Sequence, residues 1–188
     1  SGAITVTTAT SPVAAGNIVI NSNSGAGSVD LGGLVTGGSG NIDVNAGTGG
    51  ITVSGNVTNT SGTVSLASAN GVTVNDTFTV NSGTGTLLVN ADSDGAGAGT
   101  LTLAGTGTLT SANTTASAVT LRAEDIVLSA TSVVSATGGT AAGVNVFSTQ
   151  AAQTMNIGGA AASATGINLE DAELARFTNF VTLTLGET

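Results

Sequence analysis

NIDVNAGTGGITVSGNVTNTSG, from Asn41 to Gly62, runs directly into TVSLASANGVTVNDTFTVNSG, from Thr63 to Gly83, and these two stretches decide the fold. Each carries triplets of the form apolar-x-apolar bounded by Gly, Asn, Ser or Thr. The first has Ile42-Asp43-Val44 and Ile51-Thr52-Val53, and the second has Val64-Ser65-Leu66 and Val72-Thr73-Val74. A period of two over so few residues reads as a short strand, and the small polar residues between triplets read as turns.

Outward from this pair the pattern continues in both directions. One series runs Ile18-Val19-Ile20, Ile42 to Val44, Val64 to Leu66, Leu87-Leu88-Val89, Val119-Thr120-Leu121 and Val144-Asn145-Val146. A second interleaves with it: Ile4-Thr5-Val6, Val29-Asp30-Leu31, Ile51 to Val53, Val72 to Val74, Leu101-Thr102-Leu103, Ile126-Val127-Leu128 and Met155-Asn156-Ile157. A weaker third apolar position follows near Val35, Val57, Phe78, Leu109 and Val133. Two or three strands in fixed order, repeated roughly every 20 to 30 residues, are the signature of a solenoid; an antiparallel sandwich needs no such unit length.

The expected fold is therefore all-β, a right-handed parallel β-solenoid of about seven irregular coils, a rod on the order of 35 Å long. Outer triplet residues such as Val44, Val53, Leu66, Val74, Val89, Leu103 and Leu121 form interior ladders. Middle residues such as Asp43, Thr52, Ser65 and Thr73 face solvent. Residues 1–165 make the coils. Residues 166–188 make a cap or junction: one short helix, Glu170 to Phe177, capped at Asn168 or its neighbour, then a strand, Val181 to Leu185. Asp92 to Gly99 and Ser111 to Ala116 read as surface loops bulging from turns.

Composition narrows the function. The chain of 188 residues has 29 Gly, one Pro, no Lys, His, Cys, Trp or Tyr, and a formal net charge of −9 with Arg122 and Arg176 as its basic residues. So few cations leave nothing to neutralise phosphates, which argues against nucleic acid and anionic membrane surfaces. No apolar run approaches the length of a membrane span. With no Lys or His, and with Arg122 beside Glu124 and Asp125 reading as a local surface ion pair at a turn, lyase or hydrolase chemistry is not expected, and neither is a cofactor.

The triplet-and-turn units between Asn17 and Thr137 resemble the repeat regions of filamentous-haemagglutinin-type exoproteins and of giant β-strand-repeat bacterial surface proteins. The stretch Gly166-Ile167-Asn168-Leu169-Glu170-Asp171-Ala172-Glu173-Leu174 looks like the LTDAEL element that punctuates such arrays. The resemblance implies a right-handed β-helix, secretion, an extracellular or bacterial cell-surface location, and a role in adhesion, biofilm or a surface layer.

Two calcium patterns and one ice-binding pattern need weighing. Asp92-x-Asp94-Gly95 opens like a calcium loop but lacks the further ligands and closing Glu, so a solvated loop is expected. In Gly37-Gly38-Ser39-Gly40-Asn41-Ile42-Asp43-Val44 the Asp falls one place too late for a β-roll nonapeptide. Thr52, Thr73 and Thr102 align as an outward column, as in ice-binding solenoids, but Asp30 and Val127 interrupt it.

The expected role is a structural repeat of an extracellular filament or cell-surface protein. The alternative is an adhesin or ligand-binding module for a host surface, glycan or ice. The expected partners are copies of itself or adjacent tandem repeats, joined head to tail through Ile4, Val6, Leu174, Phe177 and Phe180. Joining the termini gives VTLTLGETSGAITV, a strand-turn-strand continuation.

Overall fold

The computed structural model describes residues 2–11, 15–22, 26–36, 39–151, 153–159 and 166–186. Strands arrive in threes. The first three are β1 (Ile4–Val6), β2 (Ala9–Ser11) and β3 (Ile18–Asn21), followed by β4 (Val29–Leu31), β5 (Leu34–Thr36) and β6 (Ile42–Asn45). Next come β7 (Ile51–Val53), β8 (Val57–Thr58) and β9 (Val64–Ala67), then β10 (Val72–Val74), β11 (Thr79–Asn81) and β12 (Leu87–Asn90). After these are β13 (Thr100–Leu103), β14 (Thr108–Ser111) and β15 (Val119–Ala123), then β16 (Asp125–Leu128), β17 (Val133–Ala136) and β18 (Gly143–Ser148). The carboxy-terminal part holds β19 (Met155–Ile157), β20 (Ile167–Leu169), the helix α1 (Asp171–Leu174), β21 (Phe177–Thr178) and β22 (Thr182–Gly186).

Every third strand stacks on the last, and every pairing is parallel. The first sheet runs β1-β4-β7-β10-β13-β16, the second β2-β5-β8-β11-β14-β17-β21 and the third β3-β6-β9-β12-β15-β18-β22, while β19 and β20 form a separate pair. The six strands of the first sheet mark about five full turns of the chain. The protein is thus an all-β parallel solenoid with almost no helix.

Register explains why the outer triplet residues are apolar. In the first sheet Val29, Ile51, Val72, Leu101 and Ile126 stand in one column, and Leu31, Val53, Val74, Leu103 and Leu128 in another. In the third sheet Ile42, Val64, Leu87, Val119 and Val144 form one column and Val44, Leu66, Val89, Leu121 and Val146 the next. All these residues are buried, nearly all with no exposed surface. Each such side chain contributes about 1.5–3 kcal/mol through burial, so the columns are the main source of stability. Middle residues Asp43, Thr52, Ser65 and Thr73 are partly exposed on the outer face.

The third apolar position differs from expectation at several coils. Val57 and Leu109 do line the core, but the residues in register with them are Leu34, Val80 and Val134 rather than Val35, Phe78 and Val133. Phe78 belongs to the preceding turn, where Thr77 takes a left-handed backbone conformation (φ 71°), and this turn moves the inward position to Val80.

Corners are built from stacked glycines. A Cβ on Gly40 would lie 1.9 Å from the Gly16 carbonyl oxygen, one on Gly62 1.9 Å from that of Gly40, and one on Gly85 2.0 Å from that of Gly62. The following residues bond along the same column: the Asn17 side chain accepts from Asn41 N (2.8 Å), and the Asn41 side chain from Thr63 N (3.0 Å). Two buried groups of these corners are satisfied in the same way: Asn59 Nδ2 donates to Gly40 O (2.7 Å) and Ser111 Oγ to Gly85 O (2.7 Å). Glycine here serves close backbone approach between coils.

Two expectations need correction. The helix covers only Asp171–Leu174 rather than Glu170 to Phe177, and its N-cap is Glu170, not Asn168. Phe177 instead begins β21, which pairs with β17, and Arg176 O accepts from Val134 N at 3.0 Å. A ladder pairing plus burial of a phenyl ring outweighs another helical turn, whose propensity is worth only tenths of a kcal/mol per residue. Likewise Met155 to Ile157 does not extend the first sheet but pairs with β20, whose Ile167 and Leu169 are fully buried.

Candidate functional site

The two ends of the stack are where the described chain leaves something unfinished. At one end β1, β2 and β3 each pair on a single side, and Ile4, Val6, Ile18 and Ile20 are half-buried where their counterparts in later coils are sealed. At the other end β22 is the outermost strand of the third sheet. There Leu183 and Leu185 continue the columns of Val144 and Val146 and are half-buried.

The first sheet ends differently, because the helix closes it. Glu173 Oε1 accepts from Leu128 N (2.9 Å), taking up an amide of β16. Its Oε2 accepts from Glu170 N (3.2 Å) at the start of the helix, and Asp125 Oδ1 accepts from Asn168 N (3.4 Å). Arg176 Nε donates to Ala172 O (2.9 Å), and its guanidinium also donates to Ala130 O. Between β16 and this cap lies an open cleft of about 320 Å³ lined by Asp125, Ile126, Val127, Asn168, Glu170 and Glu173.

Of the five residues expected at a head-to-tail contact, Ile4 and Val6 lie on β1 at one end, and Leu174, Phe177 and Phe180 at the other. Leu174 and Phe180 are partly buried and pack on the chain's own core. Phe177 is 5 % exposed and closes the column of Val57, Val80, Leu109 and Val134. Its ring is an internal core group. The signal for this was the spacing of the third strand position, which the irregular turns obscure. The junction residues Ser1, Glu187 and Thr188 lie outside the described residues, as do Gly37 and Gly38.

On the outer faces, the middle column of the first sheet reads Thr5, Asp30, Thr52, Thr73, Thr102, Val127. Asp30 is engaged by Ser54 Oγ at 2.5 Å. Arg122 lies over the Phe147 ring at 5.3 Å on the neighbouring coil. Asp92 contradicts the expected solvated loop. It is 1 % exposed, and its Oδ2 accepts from Gly97 N (3.2 Å) and Thr149 Oγ1 (2.5 Å).

Comparison with protein-family models, curated proteins and solved structures returns no match. Among the described residues no three His, Cys, Asp or Glu side chains gather in a metal-binding group, and no helix is long and apolar enough to cross a membrane.

Proposed function

We propose that this chain is a non-enzymatic structural repeat of an extracellular filament or bacterial cell-surface protein, such as a surface layer, sheath or biofilm fibre, stacking head to tail. In this reading the solenoid is right-handed, as parallel crossovers overwhelmingly are, and β21 and β22 belong to a seventh coil.

One observation carries the proposal. The third sheet begins at β3 and ends at β22, all its strands are parallel, and both terminal strands hold half-buried aliphatics at the same inward positions. An open parallel edge offers unpaired backbone groups to another chain. Setting β22 of one copy against β3 of the next continues both aliphatic columns of this sheet, and repetition of one heterologous contact gives a polar filament.

The test exploits a chain without cysteine. In the continued ladder Thr184, the middle residue of β22, lies opposite Val19, the middle residue of β3 in the next copy, and Val19 is 68 % exposed. Strands about 4.8 Å apart fall within disulfide reach. The double variant Val19→Cys, Thr184→Cys is expected to form covalent ladders under mild oxidation, alongside fibres in electron micrographs. A chain that stays monomeric at high concentration and yields no cross-linked species would defeat the proposal.

A further inference from the structure

We infer that the neck of the loop between Ala91 and Gly99 is a binding site for a hard divalent cation of the calcium class, held by the carboxylates of Asp92 and Glu124. Among the described residues four buried side-chain polar atoms lack a hydrogen-bond partner, and three of them are the oxygens Asn90 Oδ1, Asp92 Oδ1 and Glu124 Oε2. Each is an acceptor, and two belong to carboxylates. Leaving an ionised oxygen buried and unpaired is costly, so a cation at this place removes a penalty that the protein's own donors leave standing.

The backbone brings these groups together. Asn90 and Arg122 are opposite each other on adjacent coils, so Asp92 and Glu124 each lie two residues further along the same corner. A Cβ on Gly99 would come within 2.6 Å of Asp92 Cα, and Gly99 O accepts from Glu124 N at 2.9 Å; the loop is pinched shut with both acids at its neck. Thr149 Oγ1, one coil beyond Glu124, donates to Asp92 Oδ2 at 2.5 Å, so the Asp92 carboxylate reaches across the level of Glu124. Gln150 Nε2 ties the loop down by donating to Gly95 O at 3.2 Å. Ser93 N donates to Ser68 O (2.9 Å) and Asp94 Oδ1 accepts from Ala96 N (3.2 Å), so these loop groups already have partners.

Oxygen donors without nitrogen or sulfur select calcium over transition metals. With two carboxylates and no third acid, the charge at the site is low. Arg122, opposite Asn90 and with its guanidinium over the Phe147 ring, adds a positive charge near the site and lowers it further. Affinity therefore belongs in the range of weak extracellular calcium modules, a Kd on the order of 0.1–1 mM.

Calorimetric titration of the purified chain with calcium chloride at fixed ionic strength is expected to give one site per chain in that range. The melting temperature should rise by several degrees in 5 mM calcium relative to EDTA, and by less in magnesium, which dehydrates reluctantly and demands octahedral geometry. Asp92→Asn and Glu124→Gln should each abolish the shift, while Asp94→Asn, an exposed acid of the same loop, should keep it. No heat of binding to the unsubstituted chain at millimolar calcium would overturn the assignment, whatever the variants do. So would a shift surviving in Asp92→Asn and Glu124→Gln, which would reflect general screening of the chain's negative charge.

Discussion

Phe177 stands directly opposite Val134 in the second sheet, and its ring closes a column that runs back through Leu109 and Val80 to Val57, four coils earlier, and beyond it to Leu34. A side chain in that place belongs to the monomer's core. Phe177→Ala should lower unfolding free energy by about 3–5 kcal/mol, as large-to-small core changes do. Denaturant melts of dilute protein read this directly. A melt unchanged in dilute solution, with loss appearing only in assembled protein, would return Phe177 to the role of an interface residue.

Adjacent residues on one strand should respond oppositely. Val53 is fully buried between Leu31 and Val74, whereas Thr52 faces outward between Asp30 and Thr73. Val53→Asp places an unpaired charge in a dry column and should cost several kcal/mol; Thr52→Lys should stay within about 0.5 kcal/mol. Equal losses in thermal melts would mean that the sheet faces are assigned the wrong way round.

This contrast also shows where the sequence is readable and where it is not. Triplets such as Ile51-Thr52-Val53 carry their own period, so both the sheet and its inward face follow from the residues. The third inward position follows the second triplet by four residues at Val57 but by six at Val80, Leu109 and Val134, so turn length varies between coils and no triplet of its own separates these residues from the expected Phe78 and Val133. Phe177 reads as helical because Glu170 to Arg176 are mostly good helix formers; the competing ladder with β17 is a contact across more than forty residues, outside any local pattern. Asp92 looked like a loop acid for the same reason, since its burial depends on Thr149, 57 residues away.

The glycine corners should be intolerant of the smallest side chain. Gly62 has no positive φ, so conformational freedom is not its purpose; its Cα faces the Gly40 carbonyl oxygen on the coil below, where a methyl group would sit 1.9 Å away. Gly62→Ala should force coils apart and destabilise by about 1–3 kcal/mol, the range for overpacking. Gly139→Ala supplies the comparison, because a Cβ there meets no neighbour within 4 Å and its effect is confined to backbone strain at φ 90°. A Gly62→Ala variant as stable as the parent chain would show that the coils are not in close contact at this corner.

Asp76 provides a local readout of coil-to-coil docking through its titration. Its Oδ1 accepts from Thr106 N at 2.7 Å and from Thr106 Oγ1 at 3.0 Å, with Thr106 on the following coil. The backbone bond from Thr106, followed by its hydroxyl, holds the carboxyl below the ordinary aspartate pKa, against a smaller opposing effect of desolvation. A depressed carboxyl pKa contributes stability that is present above the unfolded-state value and is lost as pH falls through the folded value. The acid limb of a stability profile should therefore include Asp76, although its exposure keeps the effect small. Carboxyl chemical shifts followed against pH should give Asp76 a midpoint below that of an unstructured aspartate. Thr106→Val removes the hydroxyl and keeps the amide, so the midpoint should rise partway. Gly105→Ala should raise it further, because the new methyl group would lie 2.1 Å from Asp76 Oδ1 and would drive the carboxylate off both donors. An Asp76 midpoint at the ordinary value in the parent chain, unmoved by either substitution, would mean that the two coils do not meet at this turn in solution.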